Sequence, residues 1–106
     1  MVPSKIRDLC IGSGRPIWEA LQILETSHKG VVLVVDVDEI LIGTVTDGDI
    51  RRALLVGKLM ETPVVEVMGQ SPVTAEEKAS KREQLDLMNQ HKIGQLPIVD
   101  PGGRVV

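Results

Sequence analysis

Hydrophobic positions along the chain follow two periods, helical and extended, and both recur. Ile17, Ala20, Leu21 and Leu24 fall at helical spacing behind Pro16, a residue that suits a helix's first turn. Val31 to Val35 is an unbroken run of valine and leucine, the pattern of a strand covered on both faces. Asp36-Val37-Asp38-Glu39 is a turn, and Ile40 to Val45 is a second strand. A helix is expected from Ile50 to Val56, burying Ile50, Ala53 and Leu54 and stopping at Gly57. Thr62 to Ser71 reads as a link, with Pro63, Gly69 and Pro72 as punctuation. Ser80-Lys81-Arg82-Glu83 has the form of a capping box, so a helix runs from Lys81 to Gln90 with Leu85 and Met88 inward. Leu96 to Val99 and Arg104 to Val106 are the last strands, and Pro97, with no N–H, favours an edge or a bulge.

The order is a repeat. Shifted by 64 positions, Leu21, Leu24, Gly30, Val35 and Asp36 coincide with Leu85, Met88, Gly94, Val99 and Asp100. Each copy reads as an amphipathic helix, a polar link containing His-Lys, a strand ending in Val-Asp, a four-residue turn and another strand. A unit of about 60 residues buries little surface alone, and two such units share a core. The fold class is therefore α/β (α+β): each repeat is a small sheet with two helices, and the two pack together as a pair. The division expected is 1–62 for the first repeat with its lead-in and 63–106 for the second.

Candidate chemistry concentrates at Thr46-Asp47-Gly48-Asp49. A strand ends on a hydroxyl, the chain turns, and a carboxylate follows at the mouth of a helix. Unpaired N–H groups and the positive end of the helix dipole favour phosphate at such a mouth, and a carboxylate beside it suits a ribose diol. A cap alone also accounts for both residues, because Thr46-x-x-Asp49 is a capping box with Asp in place of the usual Glu or Gln.

Gly43-Thr44-Val45-Thr46-Asp47-Gly48-Asp49, followed by Ile50-Arg51-Arg52-Ala53-Leu54, resembles the signature of CBS (cystathionine beta-synthase) domains, which occur in tandem. His91-Lys92-Ile93-Gly94-Gln95-Leu96-Pro97-Ile98-Val99-Asp100 resembles the matching part of a second copy. The resemblance covers the chain from about Cys10 to Val106, and is greatest to pairs associated with sugar-phosphate nucleotidyltransferases. It implies a regulatory module that binds an adenosine nucleotide (AMP, ADP or ATP), has no catalytic residues or catalytic cofactor of its own, and controls an attached or partner enzyme. Residue by residue, it implies that Thr46 contacts phosphate and Asp49 holds the ribose. The adenine pocket would come from the other copy, at Pro72, Val73 and Thr74 and at Ile93, Gly94, Gln95 and Leu96. Arg51 or Arg52 would add a phosphate contact. A second cleft would use Ile11, Gly12, Ser13, Gly30 and Val31, but the equivalents of Thr46 and Asp49 fall at positions 110 and 113, so the second repeat and its site are expected to be incomplete. The rival expectation is a ligand-free homodimerisation module with helix contacts around Ile17 to Leu24 and Ile50 to Leu55. A third is a site for S-adenosylmethionine or magnesium.

Composition narrows the alternatives. The net charge of −3 offers no electrostatic case for nucleic acid or an acidic membrane, and Trp18 as the sole aromatic residue argues against base-stacking platforms. One cysteine, no signal-like start and no long apolar run point to the cytoplasm. Gly12-Ser13-Gly14 lacks the third glycine of a dinucleotide fingerprint. Asp36-x-Asp38 fits a turn better than a metal site, His28 and His91 suit helix ends, and neither they nor Cys10 have zinc-type spacing. Trp18 is expected to pack or to contact a second copy. Self-association is expected from uncovered apolar surface and an open sheet edge.

Overall fold

The computed structural model describes residues 7–70, 72, 74–91 and 96–106. Strand β1 (Cys10–Gly12) leads through helix α1 (Ile17–Ser27) to β2 (Val32–Val35), and β1 and β2 pair in parallel, as a helical crossover permits. Strand β3 (Leu41–Val45) returns antiparallel to β2, followed by helix α2 (Asp47–Leu55). A single 3-10 turn (Val64–Glu66) then brings β4 (Gly69–Gln70) antiparallel to β3, giving a sheet ordered β1-β2-β3-β4. The second repeat holds β5 (Ala75–Glu76), helix α3 (Lys81–His91) and β6 (Ile98–Val99), with β5 and β6 parallel. No helix among the described residues is long and apolar enough to cross a membrane.

Both faces of β2 are covered, as its composition requires. Val32 and Val34 join Ile17, Ala20, Leu24, Val45, Ile50, Ala53 and Val64 in the core beneath the two helices. Leu33 turns to the opposite face and packs with Leu41 and Val105, so the second repeat closes that side. Burial of side chains of this size stabilises by about 1.5–3 kcal/mol each.

The repeat is visible in the backbone, in helix ends, strand register and turns, although the strands of the second copy are shorter. Helices α1 and α3 begin and end 64 residues apart, at Ile17 and Lys81 and at Ser27 and His91. Ile11 pairs with Val34 and Gly12 with Val35; 64 residues on, Ala75 pairs with Ile98 and Glu76 with Val99. The turns match bond for bond. Asp36 Oδ1 accepts from Asp38 N at 2.9 Å and Ile40 N at 3.0 Å, while Asp100 Oδ1 accepts from Gly102 N and Arg104 N, both at 2.9 Å. Glu39 (φ 64°) and Gly103 (φ 88°) occupy the same left-handed position. Ile40 and Arg104, twins under the shift, pair with each other antiparallel, so a local two-fold axis runs between them. Leu41 N donates to Gly103 O at 3.0 Å, and Arg104 Nε donates to Asp38 O at 3.1 Å, across the same junction.

Several expectations need correction. Helix α2 starts at Asp47, three residues before Ile50, because Thr46 is its cap and Asp47 to Asp49 form its first turn. Leu21 is 37% exposed and Leu54 42%: each lies at the margin of its helix's apolar stripe. Leu85 is 56% exposed and α3 has no buried residue, whereas α1 packs against both α2 and β2. The last strands shorten to Ile98–Val99 and single bridges at Arg104 and Val105; Pro97 stands just before β6, contributing a carbonyl that accepts from Ala75 N at 3.0 Å.

Gly43 lies where β3 meets β4. A Cβ there would stand 2.7 Å from Gly69 O and against the Met68 side chain. Gly43→Ala is expected to lower the urea midpoint by the equivalent of about 1–3 kcal/mol, and an unchanged midpoint would show that β4 can shift freely. Burial raises the Cys10 thiol pKa, reinforced by Glu39 and partly offset by Arg7. Iodoacetamide, which reacts with the thiolate, should therefore alkylate the folded protein more slowly at pH 8.5 than the urea-unfolded chain, with the folded half-rate point at higher pH.

Candidate functional site

Strand β3 delivers Thr46 to the mouth of α2, and the extended backbone of Thr46 aims its side chain back at the helix. Both arms of a capping box form. Asp49 N donates to Thr46 Oγ1 at 3.3 Å, and Asp49 Oδ2 accepts from Thr46 N at 2.9 Å and from the Thr46 hydroxyl at 3.1 Å. Two carboxylates, Asp47 and Asp49, occupy the first turn, where the helix dipole favours negative charge. The remaining oxygen, Asp49 Oδ1, accepts from Arg52 Nη2 at 2.7 Å. Sequence reasoning missed this pair, although Asp and Arg at i, i+3 spacing was a visible signal for it.

The other candidates lie in the second repeat. Pro72 follows β4, Thr74 immediately precedes β5, and Leu96 stands two residues before β6; all three are half-buried. Thr74 and Leu96 thus sit where two parallel strands begin side by side. Val73, Ile93, Gly94 and Gln95 lie outside the described residues. Leu96 lines an apolar cavity of about 170 Å³ between the repeats, with Leu9, Val31, Leu33 and Val105 among its walls. That cavity reaches neither Thr46 nor Asp49. Val31, expected in the other cleft, shares it with Leu96, because the mouths of β2 and β6 approach each other across the two-fold axis.

Remaining motifs take structural roles. Gly12 ends β1, and the amides that follow are committed: Ser13 N donates to Val35 O at 3.1 Å and Arg15 N to Gly12 O at 3.0 Å. Asp36 is held inside its turn. His28 closes α1 in the left-handed conformation (φ 57°), its N–H on Leu24 O. The first amides of α1 are met by the loop after α2, Ile17 N by Thr62 O at 2.9 Å and Trp18 N by Met60 O at 3.1 Å. Among the described residues no three His, Cys, Asp or Glu side chains gather into a metal site.

Comparison with known proteins agrees with this fold. The CBS domain family model matches residues 5–56 and again residues 56–106. Arabinose 5-phosphate isomerase GutQ of Salmonella typhi is 32% identical over 89 residues, which is 84% of this chain and 28% of the isomerase. The inosine-5'-monophosphate dehydrogenase of Nitrosopumilus maritimus is 36% identical over 93 residues, covering 88% of this chain and 18% of the dehydrogenase. The chain thus spans well under a third of either relative. A CBS domain protein of Pyrobaculum aerophilum, solved in complex with AMP, superposes with a TM-score of 0.81 at 20% identity, over 92% of this chain and 75% of that one. The relatives carry an isomerase and a dehydrogenase, so they do not single out nucleotidyltransferases as the enzymes such pairs accompany. With two copies in register along its whole length, the chain belongs to the CBS-domain family as a tandem pair.

Proposed function

We propose that this CBS pair is a regulatory module that binds an adenosine nucleotide and thereby controls a catalytic domain acting on a sugar phosphate. The observation that carries the reading is the Thr46–Asp49 arrangement at the mouth of α2, on a fold that holds AMP in the Pyrobaculum aerophilum protein. Thr46 would meet the phosphate and Asp49 the ribose. Pro72, Val73, Thr74, Ile93, Gly94, Gln95 and Leu96 would wall the adenine, since a purine needs apolar walls and a few backbone hydrogen bonds for its edge. The catalytic partner is a sugar-phosphate nucleotidyltransferase by sequence resemblance; the arabinose 5-phosphate isomerase relative supports sugar phosphates as the wider class. The module acts in the cytoplasm as a homodimer, a role for which Trp18, Leu21, Leu54 and Leu55 offer exposed apolar surface on α1 and α2. Control is by linkage: a nucleotide touching both repeats shifts their mutual orientation only by its differential affinity for the two states.

One observation favours a second reading, that of a ligand-free interaction module. The capping box is complete and Asp49 Oδ1 has a partner already, so the mouth of α2 is satisfied without ligand.

Thermal melts with AMP, ADP, ATP and S-adenosylmethionine separate the readings. A nucleotide at ~100 times its Kd should add about 2.7 kcal/mol of stability, seen as a rise of several degrees in Tm. Asp49→Asn, which keeps an acceptor for the Thr46 amide, should fold and lose most of that rise. No rise with any of the four ligands would leave the interaction module standing.

A further inference from the structure

A cavity of about 570 Å³ lies along the last two turns of α1 and touches neither Thr46 nor Asp49. Its size falls among small-molecule pockets, which run from about 300 to 1,000 Å³. The half-buried Leu9 and Ile23 form its floor, one from the approach to β1 and one from α1. Asp8 and Lys29, both exposed, stand on its rim with opposite charges. Parallel pairing brings them there: Leu33 N donates to Leu9 O at 2.8 Å, so the approaches to β1 and β2 lie side by side. His28 (φ 57°) and Gly30 (φ 78°) bend the link to β2 around Lys29. Yet the two charges do not pair with each other, and among the described residues neither has another ionic partner. Two hydroxyls complete the lining. Thr26 Oγ1 donates to Gln22 O at 2.8 Å, so toward the cavity it can only accept. Ser27 Oγ accepts from Lys29 N at 3.3 Å, which leaves its proton to be donated.

We propose that this cavity is a binding site for a free α-amino acid with an aliphatic side chain. The ligand's ammonium group lies on Asp8, with Thr26 Oγ1 as a further acceptor. The end of α1 favours a cation there, and the helix has no basic residue of its own in its last turn. The carboxylate lies on Lys29 and accepts from the Ser27 hydroxyl, and the side chain covers Leu9 and Ile23. Two opposite charges that border one space without meeting call for a ligand that carries both, and an α-amino acid carries them on one carbon. The site stands independently of the nucleotide reading, since it shares no residue with Thr46, Asp49 or the adenine walls.

Titration of leucine into the isotope-labelled 106-residue chain, followed by amide chemical shifts, tests this. Saturable shifts are expected at Leu9, Ile23, Thr26, Ser27 and Lys29. Isocaproate, which lacks the ammonium group, and isoamylamine, which lacks the carboxylate, should each bind at least about threefold more weakly, the scale of an exposed charge pair. Asp8→Asn should remove the preference for leucine over isocaproate, and Lys29→Gln the preference over isoamylamine. Both positions are exposed, so neither change threatens the fold. No shift with leucine, or equal binding of all three compounds, would overturn the proposal. So would a preference that survives both substitutions. AMP should leave the leucine shifts in place; displacement by AMP would assign the cavity to nucleotide and overturn the amino-acid site.

Discussion

The pairing of Ile40 with its own repeat twin, Arg104, is the junction on which the rest of the molecule depends. An antiparallel bridge between symmetry-equivalent residues fixes the axis relating the two repeats, and the side chains nearest it fill in accordingly. Leu33, Leu41 and Val105 form the core shared across that axis. The second repeat leans on it heavily. Among its described residues, strands β5 and β6 are two residues each and helix α3 buries no residue, well short of the three-stranded or helix-covered sheet that independent stability requires. Each turn is tied by one aspartate oxygen accepting two amides, which is why the turn geometry survives a change from Val-Asp-Glu to Pro-Gly-Gly between Asp36 and Asp100.

At the mouth of α2, folding and binding draw on the same atoms. Thr46 and Asp49 satisfy helix amides that would otherwise be orphaned, a contribution of about 1 kcal/mol for a cap of this kind. The residues that a nucleotide would need are therefore present for a structural reason, and their presence alone does not distinguish a ligand site from a well-capped helix. The two oxygens of Asp49 are used unequally. Oδ2 accepts twice, from the Thr46 amide and hydroxyl, whereas Oδ1 accepts once, from the exposed Arg52 guanidinium.

Much of this was legible in the sequence. The 64-residue shift found from Leu21, Leu24, Val35 and Asp36 is the shift the backbone obeys, helix ends and strand register included. The continuous apolar run of β2 correctly required cover on two faces. The burial of Leu21, Leu54 and Leu85 was not legible, because periodicity names a face of a helix but not which neighbour lies on it. The start of α2 was misplaced for a related reason. A polar first turn carries no apolar period, so the helix was read from Ile50 although the capping box at Thr46 already implied a start at Asp47. For the site, Thr46 and Asp49 were legible as a pair, but their position relative to Thr74 and Leu96 depends on how the repeats meet, which the motif does not encode.

The twin helices show how far two copies of one pattern can diverge while keeping their ends in register. Helix α1 begins at Pro16, which offers no side-chain cap, and takes its acceptors from the Met60 and Thr62 carbonyls of a neighbouring loop. Helix α3 begins at Ser80, whose hydroxyl accepts from Glu83 N at 3.1 Å. The difference follows from burial. A helix with Ile17, Ala20 and Leu24 in the core has backbone packed against its start and can borrow acceptors from it. One with every residue at least partly exposed has no such neighbour and must carry its cap in its own sequence. Helix α2 stands between them. It buries Ile50 and Ala53 yet caps itself, with a mouth closed by Thr46 and Asp49 and with Arg52 on the aspartate's second oxygen. Among the described helices with both ends given, it is the one that combines a buried face with a cap drawn entirely from its own first turn.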